Sequence, residues 1–157
     1  MTILMSPLGF AAHLLAMEAK ILAATERGLE KAARLIEKEA KSEIGEYQPE
    51  KGPFEAWQDL ATSTVTGKLQ AGFEVEKPLL RTGDMRDSLQ HQVQVHGPGE
   101  GEAHVGSDSP VAVYQELGTS RIPPRSFLGG AAFAKAPEVR KILGDGVIAV
   151  IEGKKAI

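Results

Sequence analysis

The residues that decide the fold lie between 105 and 131: VGSDSPVAVYQELGTSRIPPRSFLGGA. Ahead of this stretch the sequence alternates as a strand does, and behind it a helical pattern returns. Ser109 followed by Pro110 opens a short helix that runs to Leu117, and Gly118 can take the positive φ that stops it. Gly118 to Phe127 then reads as a rigid loop. Pro123 and Pro124 hold φ at about −65° and force Ile122 and Pro123 to be extended. Arg121 and Arg125 flank the proline pair, so two guanidinium groups are expected to project from a stiff backbone. That combination suggests contact with a partner. Burial of Phe127 within the chain's own core is the other reading of the loop.

Immediately upstream runs LLRTGDMRDSLQHQVQVHG, residues 79–97. Thr82-Gly83-Asp84 signals a turn, with Thr82 or Asp84 able to cap a short turn of helix. From Ser88 to His96 apolar and polar residues alternate. Leu89, His91, Val93 and Val95 share one face, and Gln90, Gln92, Gln94 and His96 the other, as in a half-buried strand. Gly97, Pro98, Gly99 and Gly101 make a hairpin turn, and Glu102 to Gly106 returns as an antiparallel partner. His91 and His104 are placed to face each other across it.

The beginning of the chain is one long amphipathic helix from Pro7, capped by Ser6, to about Ser42. Leu8, Leu15, Leu22, Leu29 and Ile36 recur every seventh residue, and Ala12, Ala19, Ala33 and Ala40 follow most of them by four. Leu14, Ile21 and Leu35 widen the stripe, and Gly28 is a place for a bend. Such a helix is about 50 Å long. It suits either an intersubunit coiled coil or a helix laid across its own sheet, with alanines allowing close approach; its length lets it overhang its domain. Residues 43–80 are irregular. Gly45, Pro49, Gly52 and Pro53 mark a loop, interrupted by a helical stretch from about Phe54 to Gln70 in which Trp57, Leu60, Thr64 and Lys68 fall at helical spacing. Trp57 reads as an anchor pinning this insertion to the body, and a segment of this kind is often functional. After residue 128, Gly129–Lys135 and Pro137–Ile151 read as separate helical pieces, with Val147, Ile148, Val150 and Ile151 on the buried side. The expected architecture is α+β: residues 1–157 as one domain, a small antiparallel sheet packed by the long helix, and short helices at the C-terminal end.

Composition narrows the function. The chain has 157 residues, a net charge of −3 and no cysteine, so a thiol nucleophile, a disulfide scaffold and cysteine-ligated metal are excluded. A mildly acidic balance gives no global attraction to nucleic acid or anionic membrane. The apolar stretch from Ile3 to Met17 lacks the basic start of a signal peptide, and Glu18 and Lys20 follow it too soon for a membrane span. His13, His91, His96 and His104 show no metal-ligand spacing. Asp84, Asp87, Asp108 and Glu116 stand near turns, where capping is their expected role, and Ser88 and Ser109 lack a nucleophile context. No enzyme, cofactor or metal is expected. Arg81, Arg86, Arg121 and Arg125 could share a face and bind nucleic acid, but no aromatic residues interleave for base stacking.

Two segments together, LLRTGDMRDSL (79–89) and VYQELGTSRIPPRSFLGGA (113–131), resemble the head–tail joining, or tail-completion, proteins of long-tailed bacteriophages and prophages. Thr82, Gly83, Arg86 and Ser88 match the family's first segment, with Met85 in place of leucine. Tyr114, Glu116, Gly118, Thr119, Pro124, Phe127, Leu128 and Ala131 match the second. Ser126 and Gly130 stand where the family prefers proline, and Gln115 where it prefers a small residue. The resemblance implies a ring-shaped homo-oligomer, commonly of six copies, at the neck of the virion. Portal or connector and tail-tube proteins would be its neighbours, and DNA only passing cargo. Arg121, Ile122, Pro123, Pro124, Arg125, Phe127, Arg86 and Trp57 are the interface residues expected on this reading.

Overall fold

Ser6 accepts a hydrogen bond from Gly9 N at 3.1 Å and starts α1, Pro7–Glu43, with Pro7 in the first turn. In the computed structural model, which describes residues 6–153, α2 follows at Thr62–Gln70, α3 at Asp84–Asp87, β1 at Leu89–Gly97 and β2 at Glu100–Ser107. The chain then forms α4, Pro110–Leu117, and α5, Phe127–Ile151. The fold is α+β. Ile3, where the apolar start was read, lies outside the described residues.

α1 is the axis of the molecule. On one side α5 runs antiparallel to it: Leu143 reaches Gly28, Gly146 lies over the Ala24 carbonyl, and Lys135 pairs with Glu39 at 3.5 Å. On another side lies the two-stranded antiparallel sheet of β1 and β2. The expected alternation holds, since Leu89, His91, Val93 and Val95 are less exposed than the glutamines between them. The two strands differ from expectation in one pairing. His91 stands opposite Val105, and His104 opposite Gln92, so the two histidines lie on opposite faces. A side-chain period of two makes any odd offset in register do this. Among the described residues no group of three or more His, Cys, Asp or Glu side chains could hold a metal ion.

His91 instead pins the sheet to α1. Its Nδ1 meets Glu37 Oε2, and its Nε2 meets Glu30 Oε1 at 3.1 Å. The hydrogen bond to Glu37, then the one to Glu30, raises the imidazole above its ordinary 6.5. Glu30 is held below its ordinary 4.5 by the hydrogen bonds from His91 and then Arg34. Burial works to raise Glu37, but hydrogen bonds from Lys41 and His91 leave it lowered on balance. The histidine's contribution is therefore complete below pH 6.5 and lost as pH rises through its raised folded value. The two carboxylates lose theirs as pH falls below 4.5. Thermal melts of wild type and His91→Gln should differ most between those limits, by up to about 1 kcal/mol, and converge on the alkaline side. A gap that widens with rising pH would refute the bridge.

The core sits at the C-terminal end of α1. Ala40, Ile44, Trp57, Leu89, Ala112, Phe127 and Ala131 form one buried cluster, with Leu79, Leu80, Met85 and Leu128 packed against it. Three expectations change here. Helix α2 begins only at Thr62, so Trp57 and Leu60 are not helical; Trp57 N is bonded to Gln48 O instead, and its ring is buried in the core. Second, α5 is continuous through Pro137, Gly144 and Gly146, because packing along α1 outweighs weak local propensity. Third, Ile148 and Ile151 are exposed, and only Val150 of the anticipated four is fully buried.

Candidate interaction surface around the proline loop

Between α4 and α5 the chain turns back sharply, and the motif residues make one hydrogen-bonded unit. Gly118 sits at φ 72°, ψ 175°. A Cβ there would lie 2.8 Å from both Ile122 O and Pro124 N, so no other residue fits. Thr119 N donates to Ile122 O at 2.8 Å, and Arg125 N to Gln115 O at 2.7 Å. These two bonds close the loop around the proline pair. Thr119 Oγ1 accepts from Arg121 N and Ile122 N, each at 3.2 Å.

Glu116 reaches across to the start of α5. Its two carboxylate oxygens accept from Leu128 N and Gly129 N, each at 2.9 Å. The first N–H groups of a helix have no partner within it, and its N-terminal end attracts negative charge. A carboxylate from a neighbouring helix satisfies both needs, which is the capping role expected for this residue. Gly129 is required by the same close approach: a Cβ would lie 2.6 Å from the Phe54 ring and 3.0 Å from Glu116 Oε1. Glu43 lies near the same helix end, paired with Lys51 at 2.6 Å. Burial raises its carboxyl, and neighbouring Glu39 and Glu116 add to this, against the opposing Lys51.

One buried cation, Arg125, ties residues 43–80 to this unit, and a second, Lys68, closes that segment on itself. Arg125 is 4% exposed and donates through one terminal nitrogen to Gln58 O at 2.8 Å and Asp59 O at 3.3 Å. Burial lowers its pKa. Lys68, equally hidden, donates to Lys77 O at 2.6 Å and Leu80 O at 2.9 Å, and burial lowers its pKa too. In both cases backbone carbonyls replace the water that each charge has lost.

The anticipated interface residues therefore divide. Arg121 and Pro124 are exposed, and Ile122 and Pro123 half-buried. Arg125 does not project, and Phe127 is fully buried in the chain's own core, because the turn at Gly118 folds the loop back over the insertion. Trp57 is buried as an anchor, as read. Arg86 pairs with its neighbour Asp87 at 3.0 Å. Of the four arginines proposed to share a face, Arg81, Arg121 and Arg125 line one groove of about 710 Å³ and Arg86 does not. Arg81 also stacks over Phe73, 4.9 Å from its centroid.

Sequence reasoning missed the exposed apolar side of α4. Val111, Val113, Tyr114 and Leu117 all stand free, Leu117 at 73%. In a helix this apolar, periodicity cannot say which side is covered. A second omission is a set of cations on α1. Arg27, Lys31, Arg34 and Lys38 line a groove of about 620 Å³ between α1 and α5, with Lys141 opposite and Glu138 and Asp145 also present. Their spacing of three and four residues places them on one helical face, a signal that was available in the sequence.

Comparison of the chain with protein-family models, with curated proteins and with solved structures finds no match.

Proposed function

We propose that this chain is a structural, non-enzymatic virion protein that completes the neck or head-proximal end of a phage tail through ring assembly. The observation that carries the reading is the union of the second segment's resembling residues in one unit. Glu116 caps α5 at Leu128 and Gly129, Gly118 makes the turn, and Phe127 and Ala131 enter the core. Those residues serve the backbone geometry of a unit that presents Arg121 on its loop and Tyr114 and Leu117 on α4 outward. Two further features favour self-association. The α4 side is an exposed apolar patch, and such patches mark interaction sites. Both strands of a two-stranded sheet keep an open edge. Rings arise when one patch docks on a different patch of the next copy.

Portal or connector proteins and tail-tube proteins are the proposed neighbours, and the assembled virion the proposed location. Electron microscopy and mass measurement of the purified chain, alone and mixed with heads, tails and portal rings, test this. Ring-shaped particles or incorporation into virions are expected, and both should weaken when Tyr114→Ala and Leu117→Ala are combined. A chain that stays monomeric and joins none of these structures would sink the proposal.

A second reading, a nucleic-acid-binding module, is favoured by the cationic groove of Arg27, Lys31, Lys38 and Lys141. Backbone binding of this kind weakens steeply with salt. Duplex binding at low salt that is lost on combining Arg27→Ala with Lys31→Ala would support it. No binding at low salt would remove it. Arg125→Ala is unsuitable as a test, since that side chain holds the fold.

A further inference from the structure

The Leu/Ala stripe of α1 is covered over only part of its length. From Thr25 onward the hairpin lies on it: Gly99 N donates to Thr25 Oγ1 at 2.9 Å, Leu29 packs beneath Gly101, and Ala33 and Ala40 are buried. The hairpin ends there, and α5, whose Gly146 is level with Ala24, runs on only to Ile151. Beyond, the same stripe is only partly covered at Leu22, which borders a groove with Val93 and Val95 of β1, and bare before it. Leu8 is 82% exposed, Leu15 66% and Leu22 42%, with Phe10 and Leu14 exposed beside them. An 18-residue window of α1 is apolar enough in composition to cross a membrane, yet only 6% of it is buried. Nothing in the physics of a lone helix holds so much apolar surface in water.

We infer that this bare half of α1 pairs antiparallel, about a two-fold axis, with the same half of a second copy of the chain. The stripe is complementary to itself in that direction. With Leu15 set against Ala19 of the second copy, symmetry sets Ala19 against Leu15 of the second copy. The flanking layers then place Ala12 against Leu22 and Leu22 against Ala12. Every layer holds one leucine and one alanine, so four layers have equal volume and the helices approach closely, as knobs-into-holes packing needs. Glu26, which breaks the alanine row, falls opposite Leu8 at the end of the contact, where water reaches it. Ala12 and Leu15 of the second copy then come level with the end of α5, where Ile148 and Ile151 stand exposed. The pairing thus extends the cover that the hairpin begins. It is isologous, hence separate from any contact that closes a ring, and it does not rest on the virion reading.

Sedimentation equilibrium of the full chain tests the pairing. Wild type is expected to dimerise from a 16.8 kDa protomer. Leu15→Glu should be monomeric in this contact with unchanged circular dichroism, since the side chain is exposed. Leu15→Ala alone and Ala19→Leu alone each unbalance two layers and should weaken dimerisation at least roughly tenfold. Combining the two restores one leucine and one alanine per layer and should recover the wild-type constant. Failure of that swap to recover association would overturn the paired arrangement. So would a wild-type chain that stays monomeric, or a dimer that Leu15→Glu leaves intact. Flotation of a monomeric chain with phosphatidylcholine vesicles, lost on Leu15→Glu, would make lipid the occupant and equally overturn the proposal.

Discussion

Phe127→Ala should cost about 3–5 kcal/mol of stability, read as a fall in the urea midpoint at unchanged slope. Phe127 is 0% exposed and lies in the one cluster joining α1, β1, α4, α5 and the loop that carries Trp57. Truncation opens a cavity where five parts of the chain meet, so little can collapse into it. For a domain whose whole stability is about 5–15 kcal/mol, such a loss is close to unfolding at physiological temperature. Leu117→Ala is the contrast. At 73% exposed, its loss should change the stability of the isolated chain by no more than about 0.5 kcal/mol, while weakening any association that uses the α4 side. The reverse pattern, a neutral Phe127→Ala and a costly Leu117→Ala, would mean the loop is placed wrongly.

Gly118→Ala should be among the most damaging single methyl groups that can be added to the described residues. The backbone at φ 72°, ψ 175° is one that side chains rarely adopt, and it costs about 1–3 kcal/mol on its own. The added carbon would also stand 2.8 Å from two backbone atoms, Ile122 O and Pro124 N. Backbone cannot swing aside as a side chain can, so the loop must open. Opening breaks the bond from Thr119 N to Ile122 O and disturbs the Glu116 cap on α5. Amide hydrogen exchange reads this directly. Protection at Thr119, Arg125, Leu128 and Gly129 should fall together, well before protection in the hairpin. Unchanged exchange at those four amides would show that the turn tolerates a side chain and that the motif glycine has another purpose.

Much of this architecture was legible before any coordinates. Ser6-Pro7 announced the start of α1, Pro110 to Leu117 bounded α4 at both ends, and the alternation from Leu89 placed β1 within a residue. These signals are local: a cap, a proline at a first turn, a period of two. Where the reading failed, a distant part of the chain intervened. Pro137 and Gly146 looked like breaks because only α1, more than a hundred residues earlier, holds α5 straight across them. Phe54 to Ala61 looked helical because Trp57 and Leu60 keep helical spacing with Thr64 and Lys68. The chain there has no regular secondary structure, and Trp57 is turned into the core.

The loop from Gly118 to Phe127 shows the division most clearly. Sequence alone determined that it is stiff, that a glycine must open it and that it carries two arginines and a phenylalanine. Only the tertiary structure decided which of those side chains faces outward. Arg121 remains free, while Arg125 and Phe127 are drawn inward, because residues 57–59 and the end of α1 supply the carbonyls and the apolar floor that they need. The leucine stripe of α1 carries the same lesson. Its period was plain from the residues, but the length of α5 and the reach of the hairpin decided that its first half stays uncovered.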